Sequence, residues 1–194
     1  MKRGIRALGI AESYRGEGGD SYLAGVVVRA DRVVEGFHFT TITVGGTDAT
    51  DAVAELYDAA DREDLHFVLV SGVAPAWYNI VDIETIHDTT NIPVVSVTYE
   101  EGSRNDREGD GLRDTLHDEF EGDALEKRLE LYDSLPERRR LVAGGNDLYV
   151  RSIGVADERA DEWVRGFTHD GRPEPVRVAR LAARGLLDFV DERR

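Results

Sequence analysis

The stretch His38-Phe39-Thr40-Thr41-Ile42-Thr43-Val44 alternates residue by residue, and Gly45-Gly46-Thr47-Asp48 then leads into Ala49, Val53, Leu56, Tyr57 and Ala60 at helical spacing. A period of two gives way there to one near 3.6, so a strand ends and an amphipathic helix begins. Thr47 or Asp48 is the expected N-cap, because a short oxygen-bearing side chain can accept from the first free amides. Before the switch, strands are expected at Ile5–Ile10, Tyr22–Arg29 and Asp31–Val44, joined by a glycine-rich turn at Gly16–Asp20 and a tight one at Ala30-Asp31-Arg32. This is the pattern of an antiparallel meander. After the switch the elements alternate. A buried strand is expected at His66–Val70, a loop at Ser71–Tyr78, a helix capped by Asn79 and reaching about Asp88, and a strand at Pro93–Thr98. Three strands followed by helix–strand–helix–strand predict a mixed sheet with an antiparallel half and a parallel half.

Farther along, the chain turns charged. A surface loop is expected over Glu100–Gly111, then one or two helices carrying Leu112, Leu116 and Phe120 on one stripe and Leu125, Leu129 and Tyr132 on the next. Strand character returns at Asp147–Val155, and helices are expected at Ala156–Arg165 and Glu174–Val190. A length of 194 residues without repeat or linker suits one domain over 1–194.

Charge is the most informative bulk property. Asp and Glu number 39 against 24 Lys and Arg, a formal net charge of −15, and only Lys2 and Lys127 are lysine. Such self-repulsion weakens a compact state in dilute buffer, but at molar salt the Debye length falls to about 3 Å and most of it is screened. An acidic coat that nearly avoids lysine reads as adaptation to a high-salt cytosol; the competing reading is a binder of cations or basic partners. The chain has no cysteine, which excludes a disulfide framework and a thiolate zinc site. No apolar run approaches the roughly 20 residues needed to span a bilayer, and no signal peptide is evident, so a cytoplasmic location is expected.

Few local patterns carry chemistry. Ser71-Gly72 follows a buried strand as a nucleophile would, yet Leu69-Val70 precede it and the Gly-x-Ser-x-Gly pattern is absent. The five histidines (His38, His66, His87, His117, His169) lack ligand spacing. The clusters Gly16-Glu17-Gly18-Gly19, Gly45-Gly46 and Gly144-Gly145 lack the Lys-Ser/Thr or Gly-x-Gly-x-x-Gly context of a phosphate cradle and read as turns. The last helix is more informative. Val176, Ala179, Ala183, Leu186, Leu187 and Val190 share one face, and Arg177, Arg180 and Arg184 form a stripe beside it. Trp163–Leu186 carries five arginines against two acids, a net +3 within an acidic chain. Such a strip can hold phosphates, or it can pair with the acidic coat and cover apolar surface with its stems. Trp77 and Tyr78 could stack on a base, and Trp77 reads equally as core.

Four segments fall in a familiar order: Arg6-Ala7-Leu8-Gly9-Ile10, Gly46-Thr47-Asp48-Ala49-Thr50, Asn79-Ile80-Val81-Asp82-Ile83 and Pro173-Glu174-Pro175-Val176-Arg177-Val178-Ala179. With them, nearly the whole chain resembles the archaeal domain of unknown function ninety-nine family, related to endonuclease V. That resemblance implies a ribonuclease-H-like mixed five-stranded sheet core with flanking helices and an extra C-terminal strand and helices. It also implies Mg²⁺ or Mn²⁺ held by acids at three positions, to activate a water and steady the scissile phosphate. Those positions are Ala11, Asp48 and Ser71 here, so two of the three carboxylates are missing. A rearranged site of Glu12, Asp48 and Asp82 is the alternative, although strand alternation turns Glu12 away from the face of Ala11. Asp48 also reads as an N-cap, and Asp82 as a complement to a helix start. The resemblance further implies that the Pro-Glu-Pro helix borders a substrate groove. Three outcomes stay open: an impaired endonuclease V-like protein that binds nucleic acid or a nucleotide, an active metal-dependent endonuclease with rearranged acids, and a protein-interaction module. The oligomeric state is not readable.

Overall fold

The computed structural model describes residues 2–15, 19–99 and 111–193. In chain order the elements are β1 (Arg6–Ser13), β2 (Asp20–Arg29), β3 (Val34–Thr43), α1 (Ala49–Ala60), β4 (Phe67–Ser71), the short turn α2 (Pro75–Tyr78), α3 (Ile83–Thr90), β5 (Val94–Tyr99), α4 (Gly111–Glu119), α5 (Gly122–Ser134), β6 (Arg139–Ala143), β7 (Asn146–Ile153), α6 (Asp157–Phe167) and α7 (Glu174–Asp191). The expected loop at Glu100–Gly111 and most of the glycine turn at Gly16–Asp20 lie outside the described residues.

The strands form one sheet in the order β3-β2-β1-β4-β5-β7-β6. β1 is antiparallel to β2 and β2 to β3, while β4 runs parallel to β1 and β5 parallel to β4. The change of period at Thr47 thus marks the boundary between the meander and the parallel half. The count differs from the expected five plus one, because seven strands are present among the described residues. β6, unexpected from the sequence, forms an antiparallel hairpin with β7 through Gly144-Gly145, both of positive φ. Its Arg139-Arg140-Leu141-Val142-Ala143 carries too few apolar residues to read as a strand alone; pairing to β7 and burial of Leu141 and Ala143 make it one.

Apolar side chains fill both faces of the sheet. On one, Leu8, Ile10, Val27, Val68 and Val70 meet Val53 and Leu56 of α1 and Ile83 and Ile86 of α3. On the other, Ala7, Ala11, Phe67, Leu69 and Val97 meet Trp163 and Phe167 of α6 and Val176 and Ala179 of α7. Phe67 stacks on Trp163 with centroids 4.5 Å apart and 7° between planes. Among the described residues no helix is long and apolar enough to cross a membrane.

The four segments that carry the family resemblance meet in pairs. A Cβ on Gly9 would overlap the backbone of Pro175, so only glycine lets the start of α7 lie against β1. Asn79, fully buried, accepts from the Ala49 amide (3.0 Å) and donates to Asp48 (2.6 Å), tying the second segment to the third.

Candidate nucleic-acid interface

The strand ends that carry Glu12, Ser71 and Tyr99 lie at one end of the sheet, because β1, β4 and β5 run parallel. Ala11 pairs with Ala24 and packs among the core residues that meet α6 and α7. Glu12 pairs with Leu23 in unbroken register, on the opposite side by strand alternation. Its side chain therefore lies on the other face of the strand from Ala11. Ser21 Oγ donates to Glu12 Oε2 at 3.3 Å. Burial pushes the Glu12 carboxyl above its ordinary range, against the Ser21 hydrogen bond, the Arg180 charge and the Ala76 amide, which lower it. Glu12 is thus a half-buried carboxyl whose charged form burial disfavours.

Asp48 stands at the N-cap position of α1 but makes no side-chain capping bond. Its oxygens accept instead from the Thr43 amide (3.1 Å to each), Thr43 Oγ1 (2.8 Å) and Asn79 Nδ2 (2.6 Å). The cap for α1 comes from Asn79, 30 residues away, which corrects the local assignment to Thr47 or Asp48. Burial raises Asp48, and the hydrogen bonds from Asn79 and Thr43 outweigh it, leaving the carboxyl below its ordinary value. Asp82, not Asn79, caps α3: it accepts from the amides of Glu84 (3.0 Å) and Thr85 (3.1 Å) and from Thr85 Oγ1 (2.8 Å). Ser71 closes β4 opposite Val97, and Gly72 turns the chain with φ +83.

Glu12 and Asp48 therefore flank one turn, Glu12 beside the Ala76 amide and Asp48 beside Asn79, while Asp82 is spent on the start of α3. Among the described residues no group of three His, Asp or Glu could hold a metal ion. Glu12, Asp48 and Asp82 do not form such a group. The donor chemistry explains why a Mg²⁺ or Mn²⁺ centre does not fit these residues. Asp48 already accepts from three donors, the Thr43 amide, the Thr43 hydroxyl and Asn79 Nδ2, and burial disfavours the Glu12 charge, whereas a hard cation needs several ionised oxygens with free lone pairs.

The turn itself is unusual. Ala76, Trp77 and Tyr78 all have left-handed angles, φ +45, +60 and +59, each costing about 1–2 kcal/mol for a residue with a Cβ. Arg128 of α5, only 4% exposed, holds the turn. It donates to the carbonyls of Tyr78 (3.1 Å), Gly45, Gly46 (3.0 Å) and Ala124 (2.9 Å), and its guanidinium lies 3.9 Å over the Phe120 ring. Burial lowers its pKa. Tyr78 meets Phe120 edge-on, and Trp77, 36% exposed, meets Tyr78 in the same way. Trp77 thus stands at the surface on a backbone that cannot easily relax.

The arginine stripe of α7 divides between two cavities. Arg180 and Arg184 line one of about 280 Å³ with Glu12, Tyr14 and Arg15. Arg177 lines another of about 420 Å³ and is engaged by Glu174 through two bonds of 2.7 Å. Arg15 is ion-paired to Asp188 and, at 3.4 Å, to Asp191. Among the described residues neither Arg180 nor Arg184 makes an ion pair within hydrogen-bonding distance. Arg128 and Tyr99 carry no functional signal in the sequence, and Asn79 carries only a local one. Asn79 was read as a local cap, Arg128 lies in an ordinary charged helix, and Tyr99 falls one residue past the expected strand end.

Comparison with known proteins gives a consistent picture. A family model described as Endonuclease dU matches residues 3–187. A UPF0215 protein of Pyrobaculum calidifontis is 32% identical over 188 residues, covering 96% of this chain and 99% of that protein. One of Thermococcus kodakarensis is 31% identical over 172 residues, 88% of this chain and 84% of the other. A protein of unknown function from Archaeoglobus fulgidus superposes with a TM-score of 0.78 at 26% identity, covering 94% of this chain and 98% of that one. Human ENDOV superposes with a TM-score of 0.62 at 14% identity, covering 96% and 86%. Ciona intestinalis Endonuclease V, solved with a DNA containing inosine, gives 0.60 at 13% identity, covering 96% and 87%.

Proposed function

The chain belongs to the endonuclease dU family, and from that premise we propose that it is an endonuclease V-like protein that binds nucleic acid along the flank of α7 without efficient metal-dependent cleavage. The observation that carries this reading is the pair Arg180 and Arg184. They line an open cavity where β1 ends, with no ion pair among the described residues, on a chain whose formal charge is −15. Elsewhere the same acidic coat engages arginine repeatedly, so two guanidiniums side by side without a close ion pair among the described residues suit a phosphate backbone. Trp77, on its braced turn, offers a stacking surface, with Tyr78 behind it.

Two further features support the reading. The strand order β3-β2-β1-β4-β5, with β4 and β5 parallel to β1, is what a ribonuclease-H-like domain spanning 1–194 would have. An endonuclease V has been solved on inosine-containing DNA, which makes nucleic acid the natural ligand class for this fold. The cleavage half of the proposal rests on Ala11 and Ser71 standing toward strand ends where acids would be needed, and on Asp48 being engaged by Thr43 and Asn79. The protein is proposed to work in a salt-rich archaeal cytoplasm.

The test combines fluorescence anisotropy on labelled single-stranded and duplex oligonucleotides, with deoxyuridine, inosine or neither, and a cleavage assay in Mg²⁺ and Mn²⁺. Salt-dependent binding without appreciable cleavage is expected, with cleavage gained only in the double variant Ala11→Asp, Ser71→Asp. Robust cleavage by the unaltered protein, abolished by Asp48→Ala, would replace this reading with that of an active endonuclease. No binding at any salt where the protein is folded would favour a protein-interaction module.

A further inference from the structure

Tyr99 ends β5 with a hydroxyl that is screened from water and has no hydrogen-bond partner. A buried hydroxyl left unpaired costs stability, and in native proteins such a group marks a strain or a missing partner. Its surroundings say which kind of partner is missing. Arg172, in the link between α6 and α7, lies with its guanidinium carbon 4.8 Å from the Tyr99 ring centroid. Arg180 acts on the same hydroxyl from α7. Burial raises the hydroxyl well above its ordinary value although both guanidiniums pull it down, so it remains a protonated donor at any working pH. Neither Arg172 nor Arg180 is ion-paired among the described residues. Among the described residues the Tyr99 hydroxyl and the Arg172 guanidinium thus meet without an acceptor.

Tyr99 and Arg172 both line the cavity of about 420 Å³ between the β6–β7 turn and the link before α7. Two of its charged groups are already committed, Asp147 to Arg140 at 2.7 Å and Arg177 to Glu174. Asp170 is the remaining acid on its rim.

We propose that Tyr99 and Arg172 form an oxyanion subsite for a phosphoryl group, the Tyr99 hydroxyl donating to one phosphate oxygen and the Arg172 guanidinium balancing its charge. At neutral pH a phosphodiester presents acceptors only, which matches a donor-only cluster; a nucleobase edge would bring N–H donors of its own. Asp170 makes a singly charged diester a better fit than a dianion. The subsite lies in the cavity that Arg177 lines, and the Glu12 cavity is lined by Arg180 and Arg184 farther along α7. It rests on the nucleic-acid reading only for the carrier of the phosphate, which is either a bound strand or free phosphate.

The experiment uses the full chain with ionic strength held constant by KCl. Inorganic phosphate, a dinucleoside phosphodiester and a labelled oligonucleotide are titrated against the unaltered protein, Tyr99→Phe, Arg172→Gln and, as a control on the exposed side of α6, Arg159→Gln. Phosphate or the diester is expected to raise the melting midpoint of the unaltered protein. Tyr99→Phe and Arg172→Gln are each expected to weaken that binding about tenfold, the weight of one hydrogen bond to a charged acceptor. Tyr99→Phe deletes only an unpaired hydroxyl, so without phosphate it should melt no lower than the unaltered protein, which separates lost binding from lost folding. The subsite is overturned if neither phosphate nor diester binds, or if Tyr99→Phe binds them as well as before. If phosphate binds through Tyr99 while the oligonucleotide does not, the nucleic-acid reading falls and the subsite stands. If the oligonucleotide binds with affinity and salt dependence untouched by Tyr99→Phe and Arg172→Gln, the reverse holds.

Discussion

The two ends of the sheet use the same residue types in opposite ways. Where β1 begins, Glu35 is gripped by Arg6 (2.7 Å), Arg29 (3.0 Å) and Arg62 (3.1 Å), and those arginines also pair with Asp31 and Asp64. The Arg6 hydrogen bond, with the charges of Arg62 and Arg29, holds the Glu35 carboxyl below its usual range. Where β1 ends, the matching is undone. Burial pushes the Glu12 carboxyl up, Arg180 and Arg184 make no close ion pair among the described residues although the Arg180 charge acts on Glu12, and Arg128 is buried among neutral carbonyls. The first end is a closed ion-pair network, which stabilises and does little else. The second leaves charge and hydrogen-bonding capacity unspent, which is what a ligand requires.

The largest effect is expected at Arg128. Arg128→Ala would strand the carbonyls of Gly45, Gly46 and Tyr78 and release the left-handed turn, costing about 3 kcal/mol in chemical denaturation. A loss under about 1 kcal/mol would show that the turn holds itself. Next comes the double variant Arg180→Ala, Arg184→Ala. Strand binding should weaken about a hundredfold, and the slope of log affinity against log salt should fall by about two, with stability nearly unchanged. Arg29→Ala with Arg62→Ala, at the other end, should leave binding as it was; equal losses from both pairs would erase the contrast between the ends.

Glu35→Ala should cost about 1–2 kcal/mol, because its three pairs are partly exposed and each is worth under about 1 kcal/mol. Molar KCl should shrink that penalty while raising the melting midpoint of the whole −15 chain and weakening strand binding. A flat or falling midpoint would count against salt adaptation.

The smallest effect concerns Glu12. Its carboxyl is raised above the ordinary 4.5, so folding favours the protonated form. That contribution is fully present below about pH 4.5 and is lost as pH rises through the folded value, leaving a buried charge at neutral pH. Glu12→Gln should therefore be slightly stabilising at pH 7, with the gain vanishing on acidification. It should also tighten strand binding a few-fold by freeing Arg180. A variant less stable at pH 7 than at pH 4, relative to the parent, would reverse the assigned shift.

The sequence by itself determined the sheet's plan. The meander, the switch near Thr47, the parallel strands and the apolar face of the last helix were all legible, because alternation and helical spacing are local consequences of which face is buried. The mixed character of the sheet and the arginines of α7 followed from the same patterns. Only the tertiary structure decided how polar groups were spent. Asp48 was available to the sequence as a cap or a ligand, and Thr43 with Asn79 took its lone pairs. Asn79 was expected to cap its own helix and instead caps α1, leaving that task to Asp82. β6 became a strand only by pairing with β7. The stripe Arg177, Arg180, Arg184, even in its spacing, was split because Glu174 claims Arg177. A hydrogen bond joins whatever donors and acceptors the fold brings within 3 Å, whatever their separation along the chain, so a side chain's partners are settled only when distant segments meet.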